Sequence, residues 1–169
     1  MAVIVGIDPG VRPTLCRLDT ATSAVEFTEE TAVVIKRAKG KRTMPHPALI
    51  ANILRRWAPD HVVIEEVNPV GKVAGQTRSP MTGGMLMHAR GICEGVTAAL
   101  GIPCDLVTPS AWTRAMKVRI GSGPEGARQR ALEINPMLAE ALARKGDHNR
   151  AASFLLAKWG GEFGTNPLL

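Results

Sequence analysis

Four carboxylates in the 169-residue chain stand where an apolar run stops or a helical one starts. Asp8 closes the short, mostly β-branched run 2–7 and precedes Pro9-Gly10, and Glu65 and Glu66 end a second apolar run that begins at His61. Asp147 follows Lys145-Gly146 at the head of the last helical stretch. A carboxylate at the tip of a buried strand is costly to ionise unless a donor, an opposite charge or a metal ion meets it. Hard divalent cations take oxygen ligands, so carboxylates delivered by separate segments suit Mg²⁺ or Mn²⁺ and phosphoryl chemistry. The cysteines (Cys16, Cys93 and Cys104) lack metal-ligand spacing, and no His/Cys cluster offers a zinc alternative. Each carboxylate also has a plain structural role open to it. Asp-Pro-Gly is ordinary turn chemistry, a strand-end Glu reaches water, and Asp147 suits a helix N-cap.

The elements that must position these groups follow from periodicity and punctuation. Residues 2–7 read as a buried strand, with 14–19 and 24–29 following at hairpin spacing, so three antiparallel strands open the chain; a further run, 31–36, continues or pairs beside them. A polar, basic connector then runs from Arg37 to Pro47. Leu49, Ile53, Leu54 and Trp57 have helical spacing, and Pro59-Asp60 ends that helix. Residues 61–67 form a second strong strand, 68–84 a Gly/Pro/Ser/Thr-rich loop, 81–100 a helix of small residues and methionines, and 102–107 a strand. Strand, helix and strand in that order suggest a parallel crossover. Thr108-Pro109 opens a short helix, a glycine-rich break at 121–126 precedes a helix at 127–134, and the final helix spans about 147–159. There is no internal repeat and no linker long enough to divide the chain, so one domain over 1–169 is expected.

Twenty-one Lys+Arg against fifteen Asp+Glu leave a net charge of +6, which favours a polyanionic partner. Three Phe, three Trp and no Tyr are too few aromatic faces for a single-strand stacking platform, so a nucleic acid would be read through backbone and shape. No apolar run is long enough to span a bilayer, the N-terminus lacks the pattern of a secretory signal, and the odd cysteine count suits a reducing compartment.

Four blocks occur in order: Ile7-Asp8-Pro9-Gly10, residues 62–67 (VVIEEV), residues 107–112 (VTPSAW) and residues 146–151 (GDHNRA). In these the chain resembles the RuvC-type Holliday junction resolvases, the compact phage members in particular, over roughly residues 2–160. The resemblance implies an α/β, ribonuclease-H-like fold: a five-stranded mixed sheet flanked by helices. It implies a homodimer in the cytoplasm of a bacterial cell or phage-infected host. It also implies two Mg²⁺ ions per active site, with Mn²⁺ substituting, and nicking at paired positions of a four-way junction in DNA recombination and repair. Asp8 matches the first metal-bridging carboxylate, Glu65 the second, and Asp147 falls in the third, acidic element; Glu66 takes the opposite strand face. The further acidic residue usual in the last helix is missing, because Ala152 follows Arg150-Ala151. Three readings follow: a carboxylate replaced by alanine, a chain that relies on Asp147, or a protein that binds junctions without cutting them. Asn149, three residues before Ala152, is an alternative weak ligand, and His148 either orients a water or is a surface histidine.

Lys39, Lys41 and Arg42 of the basic connector, with Lys72, Gln76 and Arg78 of the loop after the catalytic strand, are candidate DNA contacts. The basic residue expected near the scissile phosphate is Lys117, Arg119 or Arg128. The soft helix bearing Met85, His88, Gly91 and Gly95 is core in the plain reading and a dimer interface in the one the resemblance adds. The alternative from another class is a branched-DNA-binding protein without nuclease activity. An actin-like or sugar-kinase ATPase would need two such domains, which this length does not provide.

Overall fold

The N-terminal run forms β1 (Val3–Asp8) in a computed structural model that describes residues 2–28, 31–38, 40–67, 69, 72–73, 76–77, 79–119, 121 and 123–164, with only the backbone given at 37, 72–73 and 76–77. Both faces of β1 are covered. Val5 and Ile7 enter one apolar cluster and Ile4 the other, which is why the strand reads as a continuous apolar run. β2 (Thr14–Asp19) pairs antiparallel with β1, setting Thr14 opposite Asp8, and β3 (Val25–Thr28) pairs antiparallel with β2.

The chain then leaves this sheet. β4 (Ala32–Arg37) and β5 (Gly40–Pro45) pair with each other, Ile35 opposite Arg42 and Lys36 opposite Lys41. The basic connector expected between residues 37 and 47 is thus half of a hairpin. Its alternate residues are Lys41, Thr43 and Pro45, which carry no apolar period to betray a strand, and Gly40 turns the chain with φ +103°. α1 (Pro47–Trp57) begins where Leu49 N–H donates to His46 Nδ1 at 3.3 Å, and it buries Ile50, Ile53, Leu54 and Trp57 on one stripe.

β6 (His61–Glu65) returns beside β1 in parallel register, Ile7 opposite Ile64. The segment expected to be loop holds two short paired strands, β7 (Lys72–Val73) and β8 (Gln76–Thr77), and its last residues already belong to α2 (Pro80–Ala99), capped by Ser79. β9 (Cys104–Val107) joins β6 in parallel, confirming the crossover and completing the sheet order β3-β2-β1-β6-β9. α3 (Pro109–Ala115) starts at a Thr108 cap, as its sequence suggests. α4 (Gly123–Ile134) takes in most of the expected glycine break, with Gly126 buried. A 3-10 turn at Lys145–Asp147 leads into α5 (His148–Phe163).

One apolar cluster, around Ile50, Leu54, Val62 and Ile64, lies under α1 and α2; the other, around Val63, Phe154, Leu155 and Leu156, lies under α4 and α5. α5 reaches the sheet because Gly6 lets it: a Cβ there would sit 2.0 Å from the Ser153 carbonyl oxygen and 2.5 Å from Ala157 N. Gly160 permits the same approach farther along, against Val63 and Ile4. No described helix is long and apolar enough to cross a membrane.

Candidate active site

Strand alternation puts Asp8 and Glu65 on one face. On β1, Ile4, Gly6 and Asp8 point toward α5, and on the adjacent β6, Val63 and Glu65 do the same. Because Ile7 pairs with Ile64, the two carboxylates lie side by side at the C-terminal ends of neighbouring parallel strands. Burial, and then the charge of Glu65, push the Asp8 carboxyl up to about 8 from its ordinary 3.8. Two acids so placed do not both ionise comfortably without a cation.

Glu65 is held by a residue to which the sequence reading gave no role. The indole Nε1 of Trp112, a buried side chain on α3, donates to Glu65 Oε1 at 2.8 Å. The pairing of Glu65 with Val107 brings α3 to this place, since the helix begins two residues after Val107. The available signal was a single Trp on the first turn of a capped helix, directly after an apolar strand.

Asp147 is otherwise engaged. Its carboxylate accepts from Arg144 N at 2.8 Å and from Arg144 Nη2 at 3.1 Å, closing the 3-10 turn that precedes α5. Burial opposes ionisation, but the Arg144 backbone and guanidinium bonds, with the Arg150 charge, hold the carboxyl below its ordinary value. It makes no side-chain cap bond to α5, so the simple N-cap expected for it is replaced by a cap of the preceding turn. A cleft of about 410 Å³ lies here, lined by Arg12, Thr14, Arg144, Gly146, Asp147 and Asn149. Arg12, exposed in the β1–β2 turn, is a cation the sequence reading passed over.

The course of α5 decides what else approaches Asp8. Gly160 meets Ile4, and Ser153, Leu156 and Ala157 meet Gly6, so the helix runs antiparallel to β1. Two strand residues advance about 6.6 Å, equal to about four helical residues. The same pace brings the first turns of α5, around Ala152, beside Asp8. Ala152 packs partly buried against the core, Asn149 is exposed, and His148 Nδ1 lies 3.3 Å from Lys145 O.

Of the candidate cations, Lys41 is exposed and Arg42 half-buried on the β4–β5 hairpin. Lys117 and Arg119 are exposed beyond α3, with Lys117 at φ 57°. Arg128 is tied to Glu125, with Nε at 3.0 Å from Oε2, and its Nη1 donates to Leu142 O at 2.9 Å. Lys39 and Arg78 lie outside the described residues, and Lys72 and Gln76 are placed by backbone alone. Glu66 turns to the other side and pairs with Arg90 at 3.7 Å.

Among the described residues, no three His, Cys, Asp or Glu side chains gather into a group that could hold a metal ion. What is gathered is a pair. The chemistry of Asp8 and Glu65 suits one hard divalent cation, with water and a substrate phosphate filling its remaining positions; the expected two-ion set, which needs Asp147 or an acid at position 152, is not assembled.

No protein-family model and no curated protein sequence matches the chain. Solved structures do. Thermus thermophilus RuvC in complex with a Holliday junction substrate superposes with a TM-score of 0.62 at 16% identity, covering 96% of this chain and 97% of that one. Another T. thermophilus RuvC structure gives 0.52 at 17% identity, with 96% and 97% covered. The yeast mitochondrial Holliday junction resolvase gives 0.53 at 15% identity, with 91% of this chain and 75% of that one covered. The chain therefore has the RuvC-type resolvase fold, a ribonuclease-H-like mixed sheet flanked by helices.

Proposed function

We propose that this protein is a metal-dependent, structure-selective DNA endonuclease that nicks four-way or other branched DNA. The observation that carries this reading is the Asp8–Glu65 pair, buried enough to hold Asp8 up at about 8 and placed on adjacent parallel strands of a resolvase-type fold. Asp8 and Glu65 would hold Mg²⁺ or Mn²⁺, which supplies Lewis-acid polarisation of the phosphate and lowers the pKa of a nucleophilic water. Trp112 fixes the Glu65 carboxylate, so that one ligand does not swing. The α5 helix, seated by Gly6, walls the pair from bulk water on one side. Arg12 and Arg144 line the adjoining cleft and meet phosphate charge, with Lys117, Arg119 or Arg128 as further cations and Lys72, Gln76 and Arg78 as the candidate contacts to the branch that the sequence offers.

A two-fold junction cut at paired positions calls for two sites related by symmetry, so the active form is a homodimer. The exposed face of α2 bearing Gly84, His88, Gly91 and Gly95 is the contact we assign to it. The three free thiols suit a reducing compartment, the cytoplasm of a bacterial cell or phage-infected host.

A second reading has its own support: with Asp147 bound to Arg144 and alanine at 152, the chain binds branched DNA without cutting it. One experiment separates the two. A labelled four-way junction and a linear duplex of the same sequence are incubated with Mg²⁺, Mn²⁺ or EDTA and the parent, Asp8→Asn or Ala152→Asp chains. The endonuclease reading expects junction-selective, metal-dependent cutting by the parent that Asp8→Asn abolishes. Cutting only by Ala152→Asp identifies an impaired nuclease. Tight junction binding without cutting by either establishes the binding protein.

A further inference from the structure

The basic charge of this chain is not spread over its surface. Residues 31–59 hold seven Lys and Arg and no Asp or Glu, leaving 14 cations against 15 carboxylates in the rest of the chain. Much of that excess lies on the β4–β5 hairpin, a two-stranded ribbon separate from the main sheet. Lys36 sits directly across from Lys41. Like charges so paired weaken a hairpin unless an anion meets them. No side-chain hydrogen bond or ion pair among the described residues engages Lys36, Lys41 or Arg42.

The tip half of the ribbon is exposed on both faces, whereas Arg42, Thr43 and Met44 are half-buried and Pro45 is buried at the root. Val34, Lys36, Lys41 and Thr43 share one face, while Ile35 and Arg42 share the other; Val34 is 52% and Ile35 38% exposed. A ribbon built to lie flat on a phosphate surface would carry its charge on one side. This one carries cations on both, exposed Lys36 and Lys41 on one face and half-buried Arg42 on the other, as a ribbon between the two walls of a groove requires. The major groove of B-form DNA, about 12 Å wide, admits a two-stranded ribbon. The root of the hairpin is fixed beside the carboxylate pair. Buried Thr31 donates its hydroxyl to Pro13 O, His46 N–H donates to Thr31 O at 2.7 Å, and Pro13 adjoins Thr14, the strand partner of Asp8. Six residues of strand project about 20 Å from that root.

We infer that the β4–β5 hairpin inserts into the major groove of a duplex arm leaving the cleavage point, with Lys36 and Lys41 on one phosphate wall and Arg42 on the other. The inference rests on the branched-DNA reading above.

It is tested by fluorescence anisotropy of a labelled four-way junction in EDTA across a salt series. The parent is compared with the triple variant Lys36→Gln/Lys41→Gln/Arg42→Gln and with Lys158→Gln, a cation paired with Glu162 on α5. Three lost phosphate contacts should make the log–log salt slope shallower by about 2.7, while Lys158→Gln leaves it unchanged. Methylating guanine N7 in the arms should weaken the parent and leave the triple variant nearly unaffected. Equal slopes for parent and triple variant, with the junction still bound, overturn the hairpin's role alone. A shallower slope with no response to N7 methylation overturns groove insertion. Failure of the parent to bind any branched DNA overturns the functional reading and this inference with it. Should the triple variant not melt like the parent, Lys41→Gln, with an expected slope change of about 0.9, decides in its place.

Discussion

Trp112 is the side chain whose role is easiest to separate from folding. Phenylalanine in its place keeps most of the buried ring but leaves Glu65 without the indole donor. Trp112→Phe is expected to raise the Mg²⁺ concentration for half-maximal cleavage by roughly 10–100-fold, with little loss of rate at saturating metal. A metal titration of cleavage rate checks this, and an equal fall at every metal concentration argues for a different role. Asp147 should behave in the opposite way. Removing its buried carboxylate takes away the charge-assisted hydrogen bonds from Arg144, so Asp147→Ala costs about 1.5–3 kcal/mol, each kcal/mol worth about 2–4 °C in melting temperature for a chain of this size. Asp147→Asn, which keeps one acceptor, should leave the metal requirement unchanged; a shifted requirement would make Asp147 a ligand after all. Asp8 carries a pH signature. Its folded carboxyl keeps a proton up to about 8, whereas the unfolded one loses it near 3.8. Between those values the native state binds the extra proton, so stability falls as pH rises from about 4 to 8. Asp8→Asn removes that decline, and metal-free thermal melts should show the variant gaining on the parent toward pH 8 and matching it near pH 4.

Among the elements, α5 against β1 is the contact on which the site depends. Gly6→Ala would force a methyl into the Ser153 carbonyl, so the helix must lift from the sheet. The expected cost is about 1–3 kcal/mol, with cleavage reduced further because α5 then no longer walls the carboxylate pair. A melt beside a cleavage assay measures both, and unchanged stability would mean the helix is seated by other contacts. Apolar period and caps made β1, β2, β6, α1, α3 and the parallel crossover readable, because each buries its own stripe or carries its own cap. The hairpin was not readable as a whole, since its second strand, GKRTMP, carries no alternation of apolar and polar residues to mark an inner face. The start of α4 was hidden for another reason. Gly123, Pro124 and Gly126 signal a break, yet Gly126 is buried and glycine suits such close packing. At the site, Asp8 and Glu65 were legible from their strand tips. The Trp112 bond and the Arg144 grip on Asp147 were not, because both depend on side chains that meet only after the sheet and the 3-10 turn have formed.

Over the whole molecule, charge and active-site geometry point the same way. The positive excess sits on one projecting hairpin and the helix that follows it, and the remainder is close to neutral. A body charged in this fashion has a large dipole moment, and the field of a polyanion exerts a torque on it before any surface touches. On the groove docking inferred above, the protein should arrive hairpin-first, and because the hairpin is rooted at the Asp8 end of the sheet, that orientation would also bring the carboxylate pair toward the branch. Association should be fast in dilute salt. It should slow steeply once the screening length shrinks below about 10 Å, near 0.1 M, while dissociation changes far less.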